Sequence, residues 1–275
     1  MDEMRLNGAG GKPNRTPLVK GLIFCCVFTL LLAIACAGYY SLMSNYTAVI
    51  EPDQIALIQL DEPEIGTPTA VMHTTAGDMV YVLYPDECPQ TVANFISLAQ
   101  SGHYDNTYVF RVEQDIFFSA GSENPDGTIA EPDGACEQIT QELSPKLWPL
   151  RGALCALTSK SESGFFRILF NKQEFYTGSR FLVVDSIEMT DEIREGLISE
   201  NNTDTQNLVG QAFLDYGGIP NYSQQITVFG QLIEGYDILD GITGAALTGE
   251  EGAMRPQEDI LITSVEIAEY TGKAS

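Results

Sequence analysis

The chain has 275 residues, with 14 Lys+Arg against 38 Asp+Glu and a formal net charge of -24. Four of the basic residues, Arg5, Lys12, Arg15 and Lys20, fall within the first twenty positions, so the remainder is more acidic still. A field of that sign repels phosphate backbones and excludes nucleic-acid binding, while the length allows one large domain or two small ones.

Beyond this basic start, residues 21–50 carry no charge. At about 1.5 Å per residue, Gly21 to Met43 as a helix crosses a hydrocarbon core of about 30 Å. Tyr39 and Tyr40 fall at the level of an interfacial aromatic belt, and the basic flank puts the N-terminus in the cytoplasm. The expectation is a single-pass cell-membrane protein with a cytoplasmic tail (1–20), a transmembrane anchor (21–43), a stalk (44–68), an extracytoplasmic globular domain (69–270) and a short tail (271–275). Two other readings deliver the domain to the same compartment. Ala33-Ile34-Ala35 has the form of a signal-peptidase site, and Cys36 after it has the place of a lipid-modified first residue. The stalk is inferred from polar and acidic residues with Pro52, Pro63 and Pro68.

From Ala70 the pattern alternates, and Val71 to Thr75 and Met79 to Leu83 read as strands joined at Gly77-Asp78. Pro89 opens a helix with Val92, Phe95, Ile96 and Ala99 on one face, and Gly102 is placed to end it. Strands are expected at Tyr108 to Val112, Ile116 to Phe118, Ala153 to Leu157, Phe165 to Phe170 and Phe181 to Val184, with a Gly/Pro/Asp loop from Gly121 to Gly134. Helical spacing returns between Asp185 and Leu214, through Met189, Ile193, Leu197 and Ile198 and again through Leu208, Ala212 and Phe213. Ile226 to Ile233, a helical turn around Tyr236 to Ile242, and a strand from Ile260 to Ile267 finish the chain. Many short strands and few helices indicate an all-β barrel or sandwich with a helical insertion at about 185–214.

Taken in order, several blocks resemble the cyclophilin family of peptidyl-prolyl cis-trans isomerases. They are Thr75-Ala76-Gly77-Asp78-Met79, Pro89-Gln90-Thr91-Val92-Ala93-Asn94-Phe95, Phe110-Arg111-Val112, Arg151-Gly152-Ala153-Leu154, Ser163-Gly164-Phe165-Phe166, Gly217-Gly218-Ile219-Pro220 and Val228-Phe229-Gly230-Gln231. The resemblance covers about Val71 to Ile267. It implies a closed eight-stranded antiparallel barrel capped by helices, an isomerase acting on X-Pro bonds without cofactor or metal, and proline-containing polypeptides as partners of a monomer. It also implies that Arg111 is catalytic and that Phe110, Phe117, Ser119, Phe166, Asn221, Tyr222 and Ile226 contact substrate, with Phe166 holding the proline ring.

The pocket departs from the family pattern. Phe110 stands where the family has His, Ser119 and Gly164 where it has Gln, Ile116 where it has an aromatic, and Ile226 where it has His or Tyr. Asn221-Tyr222-Ser223 replaces an aromatic or His followed by Leu-Asp. The expectation is reduced activity and weak binding of cyclosporin-like ligands, with a non-catalytic peptide-binding or chaperone module of the same fold as the alternative. Outside the hydrophobic segment, Cys88, Cys136 and Cys155 lack C-x-x-C spacing, which argues against a zinc site or a disulfide framework and leaves room for one pair.

Overall fold

The computed structural model describes residues 52–128, 139–160, 175–199 and 202–272, together with Thr29. Apart from Thr29, the expected anchor at 21–43 lies outside the described residues. Among those residues no helix is long and apolar enough to cross a membrane.

The first hairpin pairs β1 (Pro68–Thr74) with β2 (Gly77–Leu83). Register sets Thr74 opposite Gly77, so the turn is Thr75-Ala76 and not the expected Gly77-Asp78. The cause is Thr74, whose Oγ1 accepts the N–H groups of Ala76 and Gly77 at 3.0 and 3.1 Å and closes the turn itself.

Helix α1 (Pro89–Gln100) follows, with Pro in its first turn and Val92, Phe95, Leu98 and Ala99 buried. Gly102 takes φ +75°, and the N–H groups of Gly102 and His103 reach back to the carbonyls of Ala99 and Leu98, a Schellman end. At the other end the Cys88 side chain makes no capping bond. Glu142 supplies one from a distance, accepting the N–H groups of Gln90 and Thr91 at 3.2 and 2.8 Å, a negative charge where the helix dipole is positive.

The remaining barrel strands are β3 (Thr107–Glu113), β4 (Phe117–Ser122), β6 (Ala153–Lys160), β7 (Phe175–Val184), β8 (Thr227–Glu234) and β11 (Leu261–Glu269). Their order is β4-β3-β11-β1-β2-β8-β6-β7, and β7 pairs back onto β4, so the sheet closes on itself with every pairing antiparallel. Closure removes the exposed edges that an open sheet would present. Short β5 (Ile139–Thr140) adds to β7, and β9 (Leu247–Thr248) pairs with β10 (Arg255–Pro256) in a separate ribbon.

Met72, Tyr81, Leu83, Val109, Val112, Phe118, Phe181 and Phe229 are buried in one continuous core. Phe95 of α1 joins it, its ring centroid 5.2 Å from those of Tyr104 and Phe229 and 6.0 Å from that of Phe181. Burying side chains of this size contributes about 1.5–3 kcal/mol each. A further helix, α4 (Tyr236–Thr243), adds Leu239 and Ile242 to the same core.

The expected helical insertion is α2 (Asp191–Leu197) and α3 (Asp204–Tyr216), the latter opened by a reciprocal Thr203–Gln206 capping box. Leu208, expected to face inward, is half exposed, and Val209 is buried in its place. Gly210 explains the rotation: a Cβ there would collide with the Leu197 carbonyl, so α3 presents its glycine to α2.

Residues 52–67, read from the sequence as stalk, are docked on the domain. Ile55 and Leu57 pack with Trp148, Leu150, Val209 and Phe213 in a second core, and Trp148 Nε1 donates to the Ala56 carbonyl at 3.0 Å. The composition of a spacer and that of a strap are alike, and what separates them is whether a complementary surface exists. The strap and the insertion supply that surface for each other.

Of the cysteines, Cys88 and Cys155 are buried free thiols, and Cys136 lies outside the described residues.

Candidate active site

The burial of β3 alternates from Thr107 and then shifts phase: Val109 and Val112 face the core while Phe110 and Arg111, between them, are both half-buried on the other side. A bulge causes this. Val109 pairs with Ala120 and Arg111 with Ser119, leaving Phe110 as the extra residue. A bulge inserts one residue and re-aims its neighbours, and here it turns two adjacent side chains outward.

Arg111 rests on Phe117, with Cζ 5.4 Å from the ring centroid. Its Nη2 makes a 3.5 Å contact with Glu113 Oε2, both side chains about two-fifths exposed, a pairing worth at most about 1 kcal/mol. Nε of Arg111 is buried and has no partner among the described residues. The guanidinium is therefore propped by an aromatic face and loosely paired, with one shielded donor unused.

Cross-strand partners share a face, so register extends the site sideways. Arg111 neighbours Ser119 on β4, and Ser119 neighbours Leu182 on β7. Ser119 and Leu182 are 2% and 3% exposed and form a floor beside the arginine. The turn beneath is held by Asp115, in the left-handed region at φ +59°, and by the Ile116 N–H donating to the Glu113 carbonyl at 2.9 Å.

The other expected residues are distributed as follows. Phe110 is on the outward face, but Gly127 packs so closely on its ring that a Cβ there would overlap it. Asn221 is exposed and its carbonyl accepts a bond from Gln225 Nε2. Tyr222 and Ile226 are partly buried against the main core on the turn before β8. Three strand steps, β4 to β7 to β6 to β8, separate that turn from Ser119, about 14 Å at the usual spacing. No hydrogen bond, ion pair or ring contact joins it to Arg111 among the described residues. Phe166, with Gly164 and Phe165, lies outside the described residues.

Two residues at the site were not anticipated. Leu182 is placed beside Ser119 by the pairing of β4 with β7, and Arg180, on the same face of β7, lies with Cζ 5.9 Å from the Phe110 ring centroid. Their only sequence signal was the apolar run after Arg180.

Arg151, at the start of β6, is structural. It pairs with Asp185 at 2.8 Å and with Asp240, and Asp185 accepts a second bond from Thr243 Oγ1 at 2.7 Å. This ties the ends of β6 and β7 to α4. Among the described residues no group of His, Cys, Asp and Glu is arranged to hold a metal ion.

Comparison with known proteins agrees with the geometry. A protein of Staphylococcus saprophyticus, named as a candidate peptidyl-prolyl cis-trans isomerase, is 31% identical over 200 residues, covering 72% of this chain and 91% of its own. A candidate bifunctional phosphatase/peptidyl-prolyl cis-trans isomerase of Streptococcus pyogenes is 30% identical over 213 residues, which are 76% of this chain but 40% of that one. In fold, the crystal structure of a cyclophilin type peptidyl-prolyl cis-trans isomerase of Cryptosporidium parvum superposes with TM-score 0.52 at 20% identity, covering 74% of this chain and 98% of that one. The family described as cyclophilin type peptidyl-prolyl cis-trans isomerase/CLD matches residues 69–267, a range that coincides with the closed barrel from β1 to β11. The chain belongs to the cyclophilin-type peptidyl-prolyl cis-trans isomerase family.

Proposed function

We propose that this isomerase acts on X-Pro bonds of exported proteins at the outer face of a membrane, with Arg111 as its catalytic residue and reduced turnover. Rotation about the X-Pro bond must break C–N resonance, and the barrier gives interconversion times of tens to hundreds of seconds. No covalent bond changes, so catalysis consists of binding the twisted amide better than the planar one. A guanidinium is permanently charged and presents a rigid fork of donors to the prolyl carbonyl. The observation that carries this reading is the Arg111 guanidinium itself, half-exposed, propped on the Phe117 ring and held by Glu113 only at 3.5 Å.

Phe117 and Leu182 supply apolar surface for the proline ring beside Ser119, while the slot assigned to Phe166 stays an expectation from the resemblance. A neighbouring family structure obtained in the presence of the dipeptide Ala-Pro supports proline-containing peptides as the ligand class. Phe110 in place of His removes one hydrogen-bonding group and Ser119 in place of Gln shortens another, which is the basis for reduced turnover. The uncharged 21–50 segment behind a basic flank is the basis for the location, with the domain extracytoplasmic and monomeric.

Line-shape or exchange NMR on an X-Pro peptide tests the activity: acceleration by the protein is expected, and peptide-induced shifts without acceleration would establish the binding-module alternative instead. Protease added to intact cells tests the location. Digestion of the domain is expected, and complete protection would contradict it.

A further inference from the structure

Arg180 is the second cation of the site. Its Nη1 donates to the Gly127 carbonyl at 2.7 Å, and its guanidinium lies over Phe110, the residue adjoining Arg111. It has no carboxylate partner among the described residues. Arg194 shares this, its Nε donating to the Met189 carbonyl at 3.0 Å, whereas Lys146 is paired with Glu87, Arg255 with Asp259, and Arg151 with both Asp185 and Asp240. Among the described residues the one carboxylate at Arg111 is Glu113, in a loose contact at 3.5 Å. The two arginines thus form a positive region on a protein in which 38 acidic residues face 14 basic ones.

Their separation follows from register. Arg111 is level with Ser119 and Ser119 with Leu182, two strand steps of about 4.8 Å each. Arg180 lies two residues along β7 on the same face, about 7 Å further. The backbone distance is about 12 Å, the length of three to four residues of extended peptide. Arg180 is therefore within reach of a substrate side chain while Arg111 holds the prolyl carbonyl.

We propose that Arg180 is a specificity-determining residue that makes the site prefer X-Pro segments carrying an acidic side chain two to four residues from the proline. This rests on the isomerase reading given above. The net charge of -24 favours the same choice, because the acidic excess repels an anionic segment and the two guanidiniums offset that repulsion locally.

The test uses the full-length chain and a set of X-Pro peptides with Glu, Gln or Lys at each position two to four residues from the proline, on either side. The readout is kcat/KM from exchange NMR. At one or more positions Glu is expected to exceed Gln by about fivefold, the size of a half-exposed charge pair, with Lys below Gln, and added salt is expected to shrink the difference. In Arg180→Gln the Glu/Gln ratio is expected to fall to about one, and in Arg180→Glu to invert.

Equal turnover of the three peptides at every position by the wild-type chain overturns the proposal. So does a Glu preference that survives in Arg180→Gln, or a uniform loss for all three peptides with the ratio unchanged, which is what a mere loop anchor would give. A wild-type chain inactive on every peptide overturns the isomerase reading together with this one, whereas activity without charge preference removes this one alone.

Discussion

Gln59 Nε2 donates to Gln231 Oε1 at 2.7 Å, joining the N-terminal strap to the middle of β8. The same amide accepts the Trp148 N–H through Oε1 and donates to the Trp148 carbonyl at 2.9 Å, and the side chain is 7% exposed. Three buried groups are satisfied by one residue that lies before the family match begins at residue 69. The folding unit therefore reaches back at least to Ile55.

Gln59→Ala is expected to destabilise the domain by about 1–3 kcal/mol, since it leaves the Trp148 N–H and Gln231 Oε1 buried without their Gln59 partner. Urea denaturation of the variant checks this. A domain truncated to begin at residue 69 is expected to lose more, because Ile55 and Leu57 leave the second core with it.

Gly210→Ala gains helix propensity of about 1 kcal/mol on an exposed helix, yet here the expected sign is destabilising. The added methyl meets the Leu197 carbonyl, which is backbone and has no freedom to step aside. Thermal unfolding should show a lower Tm than wild type, while Gly196→Ala, with open space around it, should not.

The strap's neighbour, the 144–146 loop, carries a pH-dependent contact. Burial works against ionisation of Glu87, but hydrogen bonds from Lys146 and Ser144 outweigh it and hold its carboxyl below the usual carboxylate range. A carboxylate whose pKa is depressed on folding stabilises the fold above its unfolded pKa and loses that contribution as pH falls through the lower, folded value. Glu87→Gln should therefore lower the urea midpoint at pH 7 and leave it little changed at pH 2.5. Equal loss at both would contradict the ionic account.

Cys88 and Cys155 are poor nucleophiles in the folded domain. Burial pushes the Cys88 thiol up to about 12, with Glu142 and Glu87 adding to the effect, and burial raises Cys155 as well. Labelling of these two thiols at pH 7 is expected to follow unfolding, with rates rising along the urea transition, because only the thiolate reacts. Rapid labelling of native protein would contradict their burial.

What the sequence displayed were the features set by near neighbours. The first hairpin, α1 with its proline start and glycine end, and β3 all follow from spacing within a dozen residues. The closing pair β4–β7 was not displayed, since nothing local in Phe117 to Ser122 says which distant strand it meets, and with it went the adjacency of Ser119, Leu182 and Arg180. Phe166 was chosen from local likeness alone. The bulge at Phe110 was hidden for a related reason: an extra residue shows only against a partner strand, and it is what turns Arg111 outward. The strap was misread because proline and acid content describe solvent preference, whereas Gln59 is buried by groups 89 and 172 positions away.

The central claim is that the Arg111 guanidinium favours the rotated amide. Its direct test is kcat/KM for one X-Pro peptide with wild type, Arg111→Lys and Arg111→Ala, each shown by circular dichroism to keep the barrel. Loss of about 100-fold or more in Arg111→Ala, with at most partial retention in Arg111→Lys, is the expected result, the size found when one transition-state donor is removed. An Arg111→Ala protein that turns over the peptide as fast as wild type would contradict it.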